Sequence, residues 1–462
     1  MTDYAANQDL HAFIDGYQEA FPDDVLTVRD PISSSEDLTS VVWELAAAGR
    51  SEMLRFSDLE GVGHEVVTNV FASRQRVGRI LGVPEDSLHD EFQRRAVNLM
   101  APVEVGDAPV LADVREGDAV DLGTVPMLTH FANDRAPYIT SGIIVADGAD
   151  GVGNLSYHRA MVHSSTELAT SLHSRGDLWR LLQAAAERGE PLRLAMVLGG
   201  HPLFMLAASA RVPMAVDERH VAGGLFGAPL EVIKTPRYGL EVPATADYVL
   251  EGVIDASDQV EEGPFGEFTG YASDRSTNNL FRVETVLRRN DPVLLDVVGG
   301  NSAEHLNLAR IPRESEMAEK LKARFPGVVS LHYPNSGTHF HCYVKVKARR
   351  AGEARQIMLG LLGWDPYLKT VIAVDEDVEL TDDAAVLWAL ATHFQPADDL
   401  FVVDGLPGSP LDPSSSLTGT TSRMALDATR GPDFEGVRID LSDESLSRAR
   451  TIIESLSPEL AP

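Results

Sequence analysis

The sequence predicts a multidomain α/β protein with a strand-rich centre. Three observations carry this. The 462 residues exceed what one compact core takes, so two or three domains are expected. Helical and strand patterns alternate toward both ends of the chain. Between them lies a succession of short β-prone runs separated by turn residues.

In chain order, Leu10, Phe13, Ile14, Tyr17 and Phe21 recur at helical spacing, and Leu38, Val41, Val42, Leu45 and Ala46 repeat the pattern. The strand MLRFSDL and the segment VVTNVFASRQRVGRILGV follow, so residues 1–115 read as an N-terminal α/β unit. Over 116–312, ITSGIIVADG, YHRAMVH, LRLAMVLGG, LEVIKT, YVLEGVID, FRVETVLRR and PVLLDVVGG read as strands, with DLWRLLQAAAERGE a helix among them. Many short strands with few helices make a sheet or barrel. Residues 313–462 alternate again. Helix ESEMAEKLKARF leads to strands VVSLHY and HFHCYVKVK. Helix AGEARQIMLGLLG, strand TVIAVDEDV and helix DDAAVLWALATHF complete an α/β domain. GLPGSPLDPSSSLTGTTSR reads as an extended loop and DESLSRARTIIESL as a last helix.

Composition excludes some classes of partner. The net charge of -31 repels nucleic acid phosphates and gives no attraction to anionic membranes. The most apolar region, LRLAMVLGGHPLFMLAASA, is broken by Arg193 and Gly-Gly-His-Pro, so it reads as strand, turn and helix start, not a membrane span. Cys342 is the only cysteine, which forbids an intrachain disulfide and suits a reducing cytosol. MTDYAANQDLHAF lacks the basic and apolar regions of a signal peptide, so a cytoplasmic location is expected. An acidic chain that takes an acidic ligand must build a local positive pocket.

EEGPFGEFTGYAS, residues 261–273, sets Glu261, Glu262 and Glu267 around a Gly-Pro-Phe-Gly bend that can aim two carboxylates at one point. The alternative is a solvated acidic turn. In NLSYHRAMVH, read as a strand, Asn154, Ser156 and His158 share one face, and Leu155, Tyr157 and Arg159 the other. A buried Arg159 needs an anionic partner, which those glutamates could supply; an exposed arginine on an edge strand is the alternative. No dinucleotide, P-loop, nucleophile-elbow or standard zinc motif occurs in a fitting context. His339, His341 and Cys342 cannot easily share one metal, and read as a strand with a polar face of His339, His341, Tyr343, Lys345 and Lys347. VDEDVELTDD reads as a strand end and a helix cap at Asp382 or Thr381.

Together these pieces resemble the UbiD family of reversible, non-oxidative decarboxylases. EGPFGEFTGY, NLSYHR, LEVPATADYVLEG, KTVIAVDEDVELTDDAAVLWALATHFQP and SPLDPSS match its segments in order along most of the chain. The resemblance implies an N-terminal α/β domain, a split-barrel domain that binds prenylated FMN, and a C-terminal α/β domain that drives oligomerisation. It implies a homodimer, with a hexamer as the alternative, and a flavin prenyltransferase as cofactor supplier. Glu267 would protonate the substrate carbon after carbon dioxide leaves, with Arg159 beside it and Glu262 pairing with Arg159. Burial against Phe265 and Phe268 would raise the donor's pKa, and Arg159 would attract the entering carboxylate.

The flavin phosphate would be held through a manganese or magnesium ion and a potassium ion. Asn154 and Glu218 match the divalent-metal ligands. His173, in SLHSRGD, stands where a histidine ligand is expected; other members read SHRG, a register that puts Ser174 there. The cofactor-facing positions are Asn154, Ser156, Tyr157, His158, Arg159, Ser209, Glu218 and Lys369, with Lys369 toward the phosphate. Phe268, Asn301 and His305 are the expected substrate-pocket residues, and Glu304 lies among them; for GGNSAEHLNL the alternative is a structural turn. These imply an aromatic or heteroaromatic acid, or an α,β-unsaturated one. Two rival readings are a flavin-free metal-dependent hydrolase using Glu218, His173 and Glu267, and a non-catalytic family member.

Overall fold

The computed structural model describes residues 3–172, 176–274, 276–347, 350–415, 419–431 and 433–456. The fold is mixed α/β in several domains, as the sequence predicts. Among the described residues the strands form sheets of four, nine, three and five strands.

At the N-terminal end, Val25–Val28 and Met53–Phe56 pair in parallel across helix Asp37–Ala47. A parallel pair needs such a crossover. Val66–Thr68 adds an antiparallel neighbour, and Leu294–Leu295 completes the four-stranded sheet. That last strand comes from the middle of the chain, so the strand-rich part donates an edge to the N-terminal unit.

The nine-stranded sheet is the centre of the molecule. Its spine is an antiparallel pair, Tyr248–Glu262 with Ser276–Arg288. Leu192–Leu198 runs beside Tyr248–Glu262 and reads as a nearly continuous apolar run because both of its faces are covered. Helix Asp177–Glu187 covers one face with Leu178, Leu182 and Ala185, one stripe at helical spacing. Farther along the spine, burial alternates. Glu261 is exposed and Glu262 buried, and the loop that follows carries Glu267.

The C-terminal sheet sets His341–Val346, Thr370–Asp375 and Thr420–Ala428 in parallel, with helices Glu353–Trp364 and Asp383–His393 as crossovers. Asp382 caps the second helix by accepting from the Ala384 N–H. Two expectations change here. The loop read over GLPGSPLDPSSSLTGTTSR contains the ends of two antiparallel strands, Leu400–Pro407 and Thr420–Ala428. His339 precedes its strand and is buried, and Tyr343 is buried too, so the expected polar face does not form.

Helix Ala303–Arg324 runs through position 312, where the sequence reading set a domain boundary. Pro312 lies inside the helix; a proline ordinarily ends one, which hid the first half. The start of this helix is locked to the N-terminal unit. Glu304, fully buried, accepts from the Thr68 hydroxyl at 2.9 Å and the Asn69 and Phe71 N–H groups at 2.8 and 3.3 Å. It is therefore a structural clamp and not part of the pocket. No helix among the described residues is long and apolar enough to cross a membrane.

Burial pushes the Glu304 carboxyl from 4.5 up to about 7, against the pull of its donors. With the folded value above the unfolded one, this group's contribution is full below the unfolded pKa and is lost as pH rises through the folded one. The stability deficit of Glu304→Gln against wild type, read by urea unfolding, should therefore be larger near pH 5 than near pH 8, by up to about 3 kcal/mol. A deficit independent of pH would contradict this.

Candidate active site

Arg159 lies between strands Gly153–Tyr157 and Ala160–Val162, where its carbonyl accepts from the Thr170 hydroxyl at 2.9 Å. Its guanidinium meets Glu262 in a fork. Nε donates to Oε1 at 2.9 Å and Nη2 to Oε2 at 3.0 Å. Nη1 donates to Glu267 Oε1. The Phe265 ring centre lies 4.7 Å from the guanidinium carbon, a cation–π contact. Burial works against the Arg159 charge, but Glu267 and Glu262 outweigh it and raise its pKa further.

Glu262 is fully buried and has further donors. The Tyr138 hydroxyl reaches Oε1 at 3.0 Å and Asn278 Nδ2 reaches Oε2 at 2.7 Å. Burial, and next Glu262, hold the Tyr138 phenol protonated by raising its pKa. Buried carboxylates are tolerated only when paired and bonded in this way. Glu261 points elsewhere, to an exposed pair with Arg135 at 2.9 Å.

The loop holding Glu267 is closed by its own backbone. The Glu267 N–H donates to Tyr271 O at 2.9 Å and the Ser273 N–H to Phe265 O at 2.8 Å. Gly263, at φ 83, begins the bend in a left-handed conformation that suits glycine. Glu267 Oε2 has no hydrogen-bond partner among the described residues, while Arg159 holds Oε1.

Arg159 and Glu267 line a cavity of about 450 Å³. His158 and His305 add polar groups, and the Tyr157 ring, Leu172, Phe265, Val297 and Leu411 add apolar ones. Ser156 Oγ lies 3.1 Å from Asn154 Oδ1 and 3.0 Å from His158 Nε2, so these three share a face as expected. Tyr157 turns the other way and donates to Met205 O at 3.0 Å. His305 Nδ1 lies 2.8 Å from Gly300 O and must carry the hydrogen there. Burial keeps this imidazole neutral, which leaves Nε2 as an acceptor.

Two expected pocket residues sit elsewhere. Phe268 packs on His339, Phe340 and Tyr367, with ring centroids 4.5, 5.5 and 6.1 Å away, and is not among the residues lining the cavity. Asn301 lines a second cavity of about 240 Å³. Tyr138, Asn278, Tyr367 and the Ser409–Leu411 run are site residues with no role in the sequence reading. Only SPLDPSS gave a signal, as a family segment of unassigned use.

Asn154 and Glu218 line one small cavity, and Glu218 Oε2 accepts from the Leu155 N–H at 3.0 Å. Burial pushes the Glu218 carboxyl up to about 7. His173 falls outside the described residues, among which no group of three His, Cys, Asp or Glu side chains could hold a metal. Ser209 caps helix Pro202–Ala208. Lys369 Nζ is engaged by Ser414 Oγ at 2.6 Å and Asp412 Oδ2 at 2.8 Å, and would have to leave them to meet a phosphate.

Removing Arg159 should strand a buried carboxylate. Arg159→Ala should cost about 3–5 kcal/mol in chemical unfolding, and adding Glu262→Gln should recover part of it. A cost below about 1 kcal/mol would show that this pair does not hold the loop.

Known proteins resemble this chain in family and fold. The N-terminal, Rift-related and C-terminal domains of 3-octaprenyl-4-hydroxybenzoate carboxy-lyase match residues 20–96, 102–302 and 306–428. Anhydromevalonate phosphate decarboxylase of Aeropyrum pernix is 31% identical over 87% of this chain and 90% of its own. The UbiD-class enzyme HmfF of Pelotomaculum thermopropionicum, in complex with FMN, superposes with a TM-score of 0.89 at 29% identity, covering 95% of this chain and 98% of HmfF. An evolved dimeric form of HmfF in complex with prFMN gives 0.85 at 26%, over 95% and 100%. Vanillic acid decarboxylase of Sedimentibacter hydroxybenzoicus gives 0.83 at 25%, over 98% and 99%. Family, fold and order of segments coincide along the chain, which belongs to the UbiD family of carboxy-lyases.

Proposed function

We propose that this protein catalyses the reversible, non-oxidative decarboxylation of an aromatic, heteroaromatic or α,β-unsaturated carboxylic acid, with prenylated FMN as cofactor. One observation carries the reading. Arg159 joins buried Glu262 and Glu267 at the wall of a cavity of about 450 Å³. That volume is within the range that takes a cofactor-sized ligand.

The residues present fit the cofactor. Tyr157 and His158 line its cavity, and Asn154 and Glu218, both buried, offer oxygen ligands to a manganese or magnesium ion. Bound prenylated FMN would supply the electron sink that an sp2 carbon lacks. The protein's own groups do the rest. Arg159 draws the substrate carboxylate in and fixes its direction. Glu262 holds Arg159 in place. As the carbon–carboxylate bond breaks, carbon dioxide leaves and its electron pair stays behind. The carbon takes one proton from Glu267 Oε2. Phe265, Val297 and Leu172 give the cavity apolar walls.

His305 and Ser409 give the cavity polar groups for a ring nitrogen or hydroxyl. The relatives' names offer two kinds of acid, anhydromevalonate phosphate and vanillic acid, so a substrate screen takes both. A homodimer is the assembly we favour, with the exposed C-terminal Leu387 and Trp388 as contact candidates. A flavin prenyltransferase would supply the cofactor. The hydrolase alternative needs Glu267 beside Glu218, yet the two line different cavities.

Glu267→Gln should keep the flavin absorbance and lose carbon dioxide release at least about a hundredfold. Retained turnover would overturn the assignment. Glu218→Gln should lose bound manganese, measured by elemental analysis, and weaken flavin retention; unchanged metal content would remove Glu218 from the site.

A further inference from the structure

The loop that carries Glu267 has a cavity on each side. Phe265 and Gly299 face the cavity of about 450 Å³. Gly266, Gly270, Gly300 and Asn301 face the one of about 240 Å³. Among the described residues Glu267 alone lines both. The second cavity meets solvent at Asn133, Asn301 and Tyr271, all exposed, Tyr271 to 64%. Trp43 and Phe131, with ring centroids 5.5 Å apart, form an apolar side. A Cβ at Gly266 would fall 2.4 Å from the Phe131 ring, so glycine there lets the ring and the Glu267 loop meet.

We propose that Glu267 is reprotonated through this second cavity, by water ordered between Asn133, Tyr271 and Asn301. The inference rests on Glu267 being the proton donor. Each turnover moves one proton from Glu267 to the substrate carbon as carbon dioxide leaves. Glu267 is then a carboxylate and must take one proton back from solvent. Cofactor and product fill the first cavity at that moment, so water reaches Glu267 from the other face. Arg159 occupies Oε1, which leaves Oε2 to exchange the proton. Amide and phenol groups at the mouth offer the several partners an ordered water needs. Asn301 is thus a positioning residue for this water, not a substrate contact.

Accessibility tests the geometry without turnover. The full chain carrying Glu267→Cys is labelled with methyl methanethiosulfonate; the native Cys342 is fully buried and adds little background. Ala272→Trp blocks the second cavity and Leu411→Trp the first. Each block alone should slow labelling less than about threefold, and both together at least about tenfold, because either path suffices. Loss of labelling with Leu411→Trp alone would overturn the proposal. With FMN bound, Ala272→Trp alone should slow labelling about tenfold. In turnover, Asn301→Leu should lower kcat and raise the solvent isotope effect while KM and flavin absorbance stay fixed, and Asn301→Gln should restore both. An isotope effect equal to wild type in Asn301→Leu would also overturn it. A protein that labels by two paths yet releases no carbon dioxide from any acid overturns the decarboxylase reading instead.

Discussion

The fork between Arg159 and Glu262 is the contact on which the site depends. Glu262 is fully buried at the end of the longest strand, where an unpaired carboxylate could not persist. Arg159, Tyr138 and Asn278 together answer its lone pairs. They come from different strands of the central sheet or their flanks, so satisfying one charge fixes several elements at once. Arg159 has one nitrogen left for Glu267, and that is how the loop beyond the bend is aimed. The electrostatic need of a buried side chain thereby sets the position of Glu267, the proposed proton donor.

The same economy governs the rest of the cavity. A chain of net charge -31 meets an anionic ligand only where a cation is held apart from the acidic surface. Arg159 is the cation set in the cavity wall, paired with Glu262 and Glu267 and backed by the Phe265 ring. The walls come from all along the chain. The central sheet gives Arg159, the helix clamped by Glu304 gives His305, and the C-terminal part gives Tyr367 and Ser409–Leu411. The site therefore requires these parts to be docked on one another, and Glu304 is one of the bonds that docks them.

Much of this was legible in the sequence where the physics is local. Helical spacing marks the helices Leu10–Ala20, Asp37–Ala47 and Asp177–Glu187. The Gly-Pro-Phe-Gly bend marks the loop that aims Glu267, and the need for a partner marks Arg159. What failed is long-range. Leu294–Leu295 looks like another strand of the centre but pairs with Val66–Thr68. Asn301 and Glu304 follow the same Gly-Gly turn as His305, yet the helix start sends Asn301 to a second cavity and Glu304 into the N-terminal unit. Tyr138 and Asn278 carry no motif, because their role is set by where Glu262 lands. Lys369 matches a family position, and its contacts with Asp412 and Ser414 arise from a loop that spacing cannot place.

The proposed function stands or falls on whether this cavity takes prenylated FMN. The direct measurement is an absorbance spectrum with native mass spectrometry on protein co-produced with a flavin prenyltransferase and supplied with manganese. The expected result is a coloured protein whose bound mass equals prenylated FMN, released when Glu218 is replaced. A colourless protein that binds manganese but no flavin, with the cofactor available, would contradict it.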